Sequence, residues 1–387
     1  MLQRIDVKLA LLIYTYFPFG GQQRDFMRIL REALSRGHQL DVYAFEWHGE
    51  VPEQVNFIQV PCRGWGRLSR YRCYTQFVQR ALATASVDAA LGFSKMPGLD
   101  IYFAADSCFA HKARTQRAAY YRYTPRYRHF MDYERAVFGP DSETHSLLLS
   151  PLQKAVYRRY YPASYERMHE LPPGISPDRQ LGGREPKRRQ QFRQEFGLAA
   201  DEILLLQVGS GFRVKGVDRA LRAIASLPPE LRRRVRYILA GQDRPRRYYR
   251  LARRLVLSRQ LRVFSGREDI MRFFAGADLL LHPAYEESAG YVLLEAAVAG
   301  LPVLTTASCG YATYIDEAGA GEVCAEPFSQ DELDGRLASM LENLNTAPWS
   351  ENGLLFGQSP DLYKMPQRAM DIIENLVENK STAKPSL

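Results

Sequence analysis

The sequence has little cysteine and no long hydrophobic run, and both absences narrow the class of protein. Its five cysteines are scattered over 387 residues without a C-x-x-C pair. This argues against a disulfide framework or a structural zinc site and favours a reducing compartment. No apolar run reaches the roughly 18 to 20 residues that span a bilayer. The best candidate for a signal peptide, residues 9–19, contains Tyr14 and Pro18 and lacks an A-x-A cleavage pattern. We therefore expect a buried first strand in a cytoplasmic protein.

Motifs of several enzyme classes are absent as well. The glycine-rich loop at 209–216 is not the G-x-G-x-x-G of nicotinamide enzymes, because its third glycine comes two positions too late. It is not a Walker A loop either, because Gly216 rather than Ser or Thr follows Lys215. No G-x-S-x-G marks a serine nucleophile. His282 has no second histidine or cysteine at ligand spacing, so the sequence predicts no metal site there and a supporting role for this residue.

The overall charge leaves an anionic partner open. Lysine and arginine number 52 and aspartate and glutamate 43, which gives a net charge of +9. With 46% apolar and 25% charged residues the chain is ordinary for a globular protein, and bulk disorder is excluded. At roughly 150 residues per domain, the length predicts two or three domains. The partner could be a membrane, a nucleic acid or a phosphorylated substrate.

Predicted strands and helices alternate along the whole chain. Apolar runs predict strands at 7–14, 39–45, 56–60 and 89–93, and again at 203–208, 235–240, 261–264, 277–282 and 302–306. Helices are predicted between them, which is typical of parallel sheets with helices on both faces. The Leu-Pro-Pro-Gly at 171–174 and a polar run at 182–189 mark a boundary. We expect two doubly wound α/β domains, 1–172 and 173–360, facing across a cleft. A last helix near 365–378 should pack back towards the first domain, before a polar tail.

Two glycine-containing loops follow predicted strands, where doubly wound sheets bind ligands. Gly20 and Gly21 precede a helix, and their backbone could approach a phosphate or simply form a tight turn. The 209–216 loop carries Arg213 and Lys215, which suits a diphosphate, although a solvated basic loop would look the same.

The segment 282–296 carries the most informative spacing. Glu287 and Glu295 are eight residues apart, with Glu287 in the loop after a strand and Glu295 in the following helix. The backbone amides of Gly290 and Tyr291 would face a phosphate at the start of that helix. Two carboxylates beside a diphosphate are unfavourable unless hydroxyl groups satisfy them, so a sugar ligand makes physical sense.

The combined motifs resemble the lipopolysaccharide core glucosyltransferase I family of retaining GT-B glycosyltransferases. Besides E-x7-E, they are Y-F-P-F-G-G at 16–21, K-M-P-G-L-D at 95–100, A-A-D at 104–106, L-P-P-G-I at 171–175, K-G-V-D-R at 215–219 and H-P-A-Y at 282–285. The resemblance covers nearly the whole chain. It implies UDP-glucose as donor, an inner-core heptose of lipopolysaccharide as acceptor, and retention of the anomeric configuration. The donor would bind the C-terminal domain and the acceptor mainly the N-terminal one.

The resemblance also implies roles for individual residues. Glu295 would hold the ribose, Glu287 the donor glucose, and Lys215 the diphosphate. Asp106 would be the acceptor base, although a buried structural aspartate is the alternative. The donor-binding residues implied are Gly20, Gly21, Arg179, Arg213, Lys215, Arg267, Glu287, Ala289, Gly290, Tyr291 and Glu295. Where the family has arginine directly before the lysine, this chain has Val214, so one phosphate contact depends on Arg213. Because no D-x-D occurs, we expect a metal-independent reaction without cofactor.

A basic aromatic stretch at 111–130 contains no acidic residue. Such a composition suits an anionic membrane surface, a single-stranded nucleic acid, or a solvated helical face with its tyrosines packed inward. A lipid-anchored acceptor favours the membrane, bound peripherally at the cytoplasmic face of the inner membrane. The residues expected there are Lys112, Arg114, Arg117, Tyr120, Arg122, Arg126 and Arg128. Two alternatives stay open: the same fold with another UDP-sugar and surface glycan, or a nucleic-acid-binding protein with a vestigial cleft.

Overall fold

The computed structural model describes residues 6–18, 20–62, 66–179, 185–267 and 269–382. Phe19 of the first glycine motif and residues 182–184 of the polar run lie outside these ranges. The chain divides into two compact units. The first comprises Met1–Gly174 and Lys364–Leu387, and the second comprises Ile175–Tyr363.

The first unit is built on a seven-stranded sheet in the order β5-β3-β1-β6-β7-β8-β9, with every pair parallel. Its strands are β1 Lys8–Leu12, β2 Thr15–Tyr16, β3 Gln39–Ala44, β4 Glu46–Trp47, β5 Val55–Gln59, β6 Ala89–Gly92, β7 Ile101–Ala104, β8 His145–Leu148 and β9 Met168–Glu170. The short strands β2 and β4 pair separately. Its helices are α1 Gly21–Ser35, α2 Arg67–Thr84, α3 Phe109–Thr115, α4 Pro125–Phe138 and α5 Pro151–Tyr160, with 3₁₀ turns at Ala119–Tyr123 and Pro162–Arg167.

Local sequence explains where these elements lie. Strand β1 is buried almost throughout, as the apolar run predicts for a central parallel strand. Helix α4 begins where the Thr124 side chain accepts a hydrogen bond from the Tyr127 N–H and Pro125 occupies the first helical position. Ser150 caps α5 in the same way, by accepting from the Gln153 N–H.

The second unit has a six-stranded parallel sheet in the order β12-β11-β10-β13-β14-β15. Its strands are β10 Ile203–Val208, β11 Val235–Ala240, β12 Leu261–Phe264, β13 Leu279–His282, β14 Val303–Thr306 and β15 Gly321–Cys324. Its helices are α6 Pro186–Glu195, α7 Val217–Ser226, α8 Pro229–Arg234, α9 Arg246–Arg254, α10 Ile270–Gly276, α11 Tyr291–Val298, α12 Ala312–Glu317, α13 Gln330–Glu342 and α14 Trp349–Phe356, with 3₁₀ turns at Pro177–Arg179 and Pro360–Tyr363. The predicted doubly wound α/β architecture is confirmed.

The last helix, α15 (Met365–Thr382), belongs to the first unit and extends four residues beyond the predicted end. It packs on α1. Arg36 bridges Asp371 and Glu374, each at 2.8 Å, and His38 Nε2 lies 2.7 Å from Glu374. These contacts fix α15 against the sheet of its own unit.

Both sheets reverse their strand order once, which determines where a ligand can bind. In the first sheet the chain runs outward from β1 through β3 to β5 and then returns to β6 on the other side of β1. In the second it runs from β10 through β11 to β12 and returns to β13. At such a switch point the loops beyond the carboxyl ends diverge and leave a crevice. The loops after β10 and β13 are the ones that carry Lys215 and Glu287.

One disulfide joins Cys62 to Cys73, whose Cα atoms are 5.7 Å apart. The sequence argued against a disulfide framework, and this single bridge departs from that expectation. The two residues meet because α2 brings Cys73 back beside the loop that follows β5, and their spacing of eleven residues gives no sequence signal. Cys108, Cys309 and Cys324 are free and buried, as expected for small packing residues.

Candidate active site

Glu287 is the centre of a three-residue cluster at the switch point of the second sheet. Lys215 Nζ, from the loop after β10, donates to Glu287 Oε2. His282 Nε2, at the end of β13, lies 3.3 Å from the same oxygen. The side chains of Glu287 and Lys215 are each 18% exposed, while that of His282 is fully buried. The carboxylate therefore has one charged and one polar partner and still faces solvent.

The charges in this cluster stabilise one another. Burial alone would raise the pKa of Glu287, but the ammonium of Lys215 and the hydrogen bond from His282 outweigh it and hold the pKa at about 2. Burial lowers the pKa of His282, so its ring is neutral at pH 7 and donates Nε2–H to the carboxylate. The site thus holds an ionised glutamate and a fixed cation.

Backbone hydrogen bonds hold the two loops in register. The Tyr285 N–H donates to the Val214 carbonyl at 2.7 Å and so joins one loop directly to the other. On the far side, the Glu287 N–H donates to the Ser308 carbonyl at 3.1 Å and the Gly310 N–H donates to the Glu287 carbonyl at 3.0 Å. Glu287 is therefore held from two directions by main chain, which fixes its position before any ligand arrives.

Arg219 supports the same loops and was missed as a functional residue by sequence reasoning. Its guanidinium is buried between the rings of Tyr285 and Phe328, at 3.6 and 3.5 Å from their centroids, and donates to the Ala284 carbonyl at 3.0 Å. The signal was available, because Arg219 ends the K-G-V-D-R motif. A planar arginine stacked on both faces rigidifies the loop that leads to Glu287.

Helix α11 presents the second carboxylate of E-x7-E. Gly290 precedes the helix with a φ of +100°, a conformation that favours glycine, and Ala289 is buried where its carbonyl accepts from the Tyr311 N–H at 2.7 Å. Glu295 is buried within the helix. Arg179 Nε, from the 3₁₀ turn at 177–179, lies 3.8 Å from Glu295 Oε1. The structure thus brings two residues that the resemblance assigned to the donor into contact.

Two other cations predicted for the donor are not drawn into this cluster. Arg213 and Val214 are both exposed in the loop after β10. Arg267 forms a two-point ion pair with Asp269, at 2.7 and 2.8 Å, and this pairing lowers the pKa of Asp269. Across the described ranges, neither arginine bonds to Glu287 or Lys215. Arg213 thus has an exposed side chain in the loop that carries Lys215, and its contact with a phosphate stays a prediction.

In the first unit, Gly20 and Gly21 open α1. A Cβ on Gly20 would clash with the Gln23 side chain, whereas the space around Gly21 is open. Asp106 follows β7 and is exposed, so the alternative of a buried structural aspartate is wrong. Its backbone carbonyl accepts from Gln153 Nε2 and Tyr157 OH, both at 3.1 Å, which positions the loop and leaves the carboxylate free to face solvent.

Asp106 also lines a pocket of about 480 Å³ that lies entirely within the first unit. Part of the basic aromatic stretch forms one wall of this pocket. The stretch is not one continuous helix but α3, a 3₁₀ turn and α4, so its residues point in different directions. Lys112, Arg117 and Arg126 line the pocket. Tyr120 and Tyr123 are 74% and 77% exposed, so the interpretation that all its tyrosines pack inward is wrong.

Two other kinds of feature are absent from the part of the chain that the structure describes. Over the residues that the structure describes, no group of three or more histidine, cysteine, aspartate or glutamate side chains could hold a metal ion. Within the same ranges, no helix is both long and apolar enough to cross a membrane.

Known proteins support the assignment from the motifs. The family described as "Glycosyl transferases group 1" matches residues 188–353. The chain is 46% identical over 366 residues to the lipopolysaccharide glucosyltransferase WaaG of Escherichia coli (strain K12), covering 94% of this chain and 98% of that one. A crystal structure of WaaG, a glycosyltransferase involved in lipopolysaccharide biosynthesis, superposes with a TM-score of 0.88, covering 94% and 99%. Anabaena Alr3699/HepE in complex with UDP and glucose shares the fold at 18% identity, with a TM-score of 0.73 over 95% and 100%. The chain therefore belongs to the lipopolysaccharide glucosyltransferase family of GT-B glycosyltransferases that its motifs predicted.

Proposed function

We propose that the protein transfers glucose from UDP-glucose to an inner-core heptose of lipopolysaccharide, with retention of configuration and without a metal ion. The proposal that the donor is a nucleotide sugar rests on the Lys215–Glu287–His282 cluster at the switch point of the second sheet. It stands where doubly wound sheets bind nucleotides, and it supplies the cation and the hydroxyl acceptor that a nucleotide sugar needs.

The reaction breaks the bond between the glucose C1 and the diphosphate and forms one from C1 to an acceptor hydroxyl. Negative charge develops on the leaving diphosphate, and Lys215 is the cation placed to stabilise it. When the donor binds, Lys215 would turn part of its interaction from Glu287 to phosphate, and Glu287 would accept hydroxyl groups of the glucose. The amides of Gly290 and Tyr291 at the start of α11 would face the diphosphate.

The remaining roles are supported by position. Glu295 is proposed to bind the ribose, with Arg179 beside it to orient its carboxylate. Asp106 is proposed to accept the proton of the acceptor hydroxyl, because its carboxylate is exposed at the carboxyl edge of the first sheet. The Ser265-Gly266-Arg267 backbone, which follows β12, is proposed to contact uracil.

Peripheral binding to an anionic membrane at the cytoplasmic face is the proposed route to a lipid-anchored acceptor. Tyr120 and Tyr123 are almost fully exposed, and Arg122 between them is exposed too. Aromatic rings at headgroup level and cations near anionic lipid are the two contributions such binding uses. Replacing Tyr120, Arg122 and Tyr123 together should weaken binding to vesicles containing anionic lipid and leave UDP binding unchanged.

The proposed function is tested by transfer from a panel of UDP-sugars to heptose-terminated lipopolysaccharide core, with a chelator present. Product from UDP-glucose alone would support the donor, the acceptor and the metal-independent reaction together. Comparable product from several donors would contradict the donor assignment. If no donor gives product while the protein binds single-stranded oligonucleotide in a salt-dependent way, the nucleic-acid alternative replaces the proposal.

A further inference from the structure

The pocket of the first unit lies at the second switch point of the molecule. It is lined by residues that directly follow β1, β6 and β7, namely Ile13 to Thr15, Ser94 with Lys95, and Asp106 with Ser107. Its volume of about 480 Å³ is within the range of small-molecule sites and suits one or two sugar rings. The pocket therefore occupies in the first sheet the position that the Glu287 cluster occupies in the second.

The side chains that line the pocket carry a net positive charge, even when a cation already paired with a carboxylate is left out. Lys95 does not count, because its ammonium lies 2.6 Å from the buried Glu134 carboxylate. Asp106 is the single acidic residue of the described lining. Two cations without an ion pair in the described ranges line it as well, Arg117 and Arg126. A ligand that enters this pocket thus meets more cations than carboxylates.

Arg117 and Arg126 are held in a way that leaves their hydrogen-bond donors available. The guanidinium carbons lie 5.4 Å from the ring centroids of Tyr121 and Phe130 respectively. Neither arginine forms an ion pair within the described ranges. Stacking uses the face of a guanidinium, while its N–H groups lie in the plane and stay free for a carboxylate or phosphate. Four further aromatic residues line the pocket, Tyr14, Tyr71, Phe109 and Tyr133, and aromatic rings offer flat apolar surface to a sugar ring.

We propose that this pocket binds an acidic sugar unit of the acceptor glycan, whose carboxylate or phosphate is held by Arg117 and Arg126. The inference rests on the proposed function and adds to it the chemistry by which the acceptor is selected. The inference also assigns two roles to the basic aromatic stretch. Arg117 and Arg126 face the pocket and bind the acceptor, while Tyr120, Arg122 and Tyr123 face outward and are proposed to bind the membrane.

The test uses lipid-free acceptor oligosaccharides, so that membrane binding plays no part. Three acceptors are compared with UDP-glucose as donor: the acid-bearing core oligosaccharide, the same compound after dephosphorylation, and the same compound after carboxyl reduction. The variant is Arg117→Gln with Arg126→Gln. The matched control is Arg158→Gln, which removes an exposed arginine stacked on Tyr165 at 4.6 Å, outside the pocket of the same unit.

In the wild type, we expect the KM for the acid-bearing acceptor to be about tenfold lower than the KM for one of the two neutralised acceptors. If the dephosphorylated acceptor has the higher KM, the recognised anion is a phosphate; if the carboxyl-reduced acceptor has it, the anion is a carboxylate. The double variant should raise the KM for the acid-bearing acceptor about tenfold, with kcat and the KM for UDP-glucose unchanged, and the control should match the wild type. Equal KM values for all three acceptors in the wild type would overturn the inference, as would a double variant indistinguishable from the control.

Calorimetry keeps this test separate from that of the proposed function. If the wild type transfers glucose to none of the acceptors, the proposed function fails, and direct titration with the acid-bearing oligosaccharide still decides the pocket. Binding that the double variant loses and the control keeps supports the inference, whereas binding unaffected by the double variant overturns it.

Discussion

Each unit of the protein pairs a glutamate with a lysine, and the two pairs are built differently. In the first unit Glu134 is fully buried and accepts from Lys95 at 2.6 Å, from the Phe109 and Ala110 N–H groups at 2.6 and 2.8 Å, and from Tyr161 OH at 2.9 Å. In the second unit Glu287 has two partners, Lys215 and His282, and its side chain remains partly exposed.

The difference indicates that the Glu134–Lys95 pair stabilises the fold, whereas the Glu287–Lys215 pair belongs to a ligand-binding site. Burial would raise the pKa of either carboxylate, yet the nearby lysine holds the pKa of each below its ordinary value. Glu134 has no remaining capacity, and it ties the start of α3 to α4 beneath the Asp106 loop. Glu287 has two side-chain partners, both on Oε2, and its side chain is 18% exposed. A saturated buried charge is structural, while a half-satisfied one at a strand's carboxyl end marks a site.

The largest effect expected from this contrast is on stability. Glu134→Gln leaves the ammonium of Lys95 buried without a counter-charge, so we expect a loss of about 3 to 5 kcal/mol in the free energy of unfolding of the first unit. Urea denaturation combined with hydrogen exchange of α3 and α4 peptides measures it. Glu46→Gln is the control, because the Glu46–Arg70 pair is exposed and should contribute at most about 1 kcal/mol. A Glu134 variant as stable as the control would show that the first pair is not structural.

The second effect is on catalysis. Lys215→Met removes the proposed cation at the diphosphate, and loss of one such group costs roughly 100- to 1,000-fold in kcat. We expect that fall in glucose transfer with a smaller loss in unfolding free energy than Glu134→Gln gives. Steady-state kinetics and denaturation of the same sample provide both numbers. The contrast between the pairs would break if Lys215→Met destabilised the second unit as much as Glu134→Gln destabilises the first.

The third effect separates the two carboxylates of E-x7-E. Glu287→Gln should lower kcat by about 100-fold while UDP still binds, because this residue is proposed to contact the glucose. Glu295→Gln should weaken UDP binding by about tenfold, because the ribose loses a charged acceptor. Titration with UDP and turnover with UDP-glucose distinguish the two. Equal losses of both properties in both variants would contradict this division of roles.

Sequence reasoning predicted the fold well because both sheets are made of short apolar strands separated by helices. The positions of β1, β10 and β13 follow from apolar runs alone. The same reasoning brought Lys215 and Glu287 to one site, because both follow strands that meet at a switch point. Strands and the motifs in the loops that follow them can thus be predicted, because each is contained in a short segment of sequence.

What sequence reasoning missed depends on contacts between distant segments. Glu134 reads as an ordinary charge in an amphipathic helix, since nothing local shows that Lys95 and two backbone amides converge on it. A supporting role was predicted for His282, but its partner was not, because the contact with Glu287 forms only where β13 ends. The two faces of the basic stretch could not be separated either, because α3, a 3₁₀ turn and α4 change the helical period between Arg117 and Arg126.

The smallest effect is the pH dependence of the second pair. The folded-state pKa of Glu287 is about 2 against an ordinary value of 4.5, so between these values the folded state binds fewer protons than the unfolded state. The ionised carboxylate therefore stabilises the fold fully above about pH 5, and this contribution, on the order of 2 kcal/mol, is lost as the pH falls towards 2. Comparing the urea denaturation of wild type and Glu287→Gln across pH 2 to 7 measures it. The gap between the two should be constant near neutrality and shrink with acid. A gap that stays constant down to pH 2 would mean that Glu287 gains nothing from Lys215, and the comparison between the two pairs would then rest on hydrogen bonding alone.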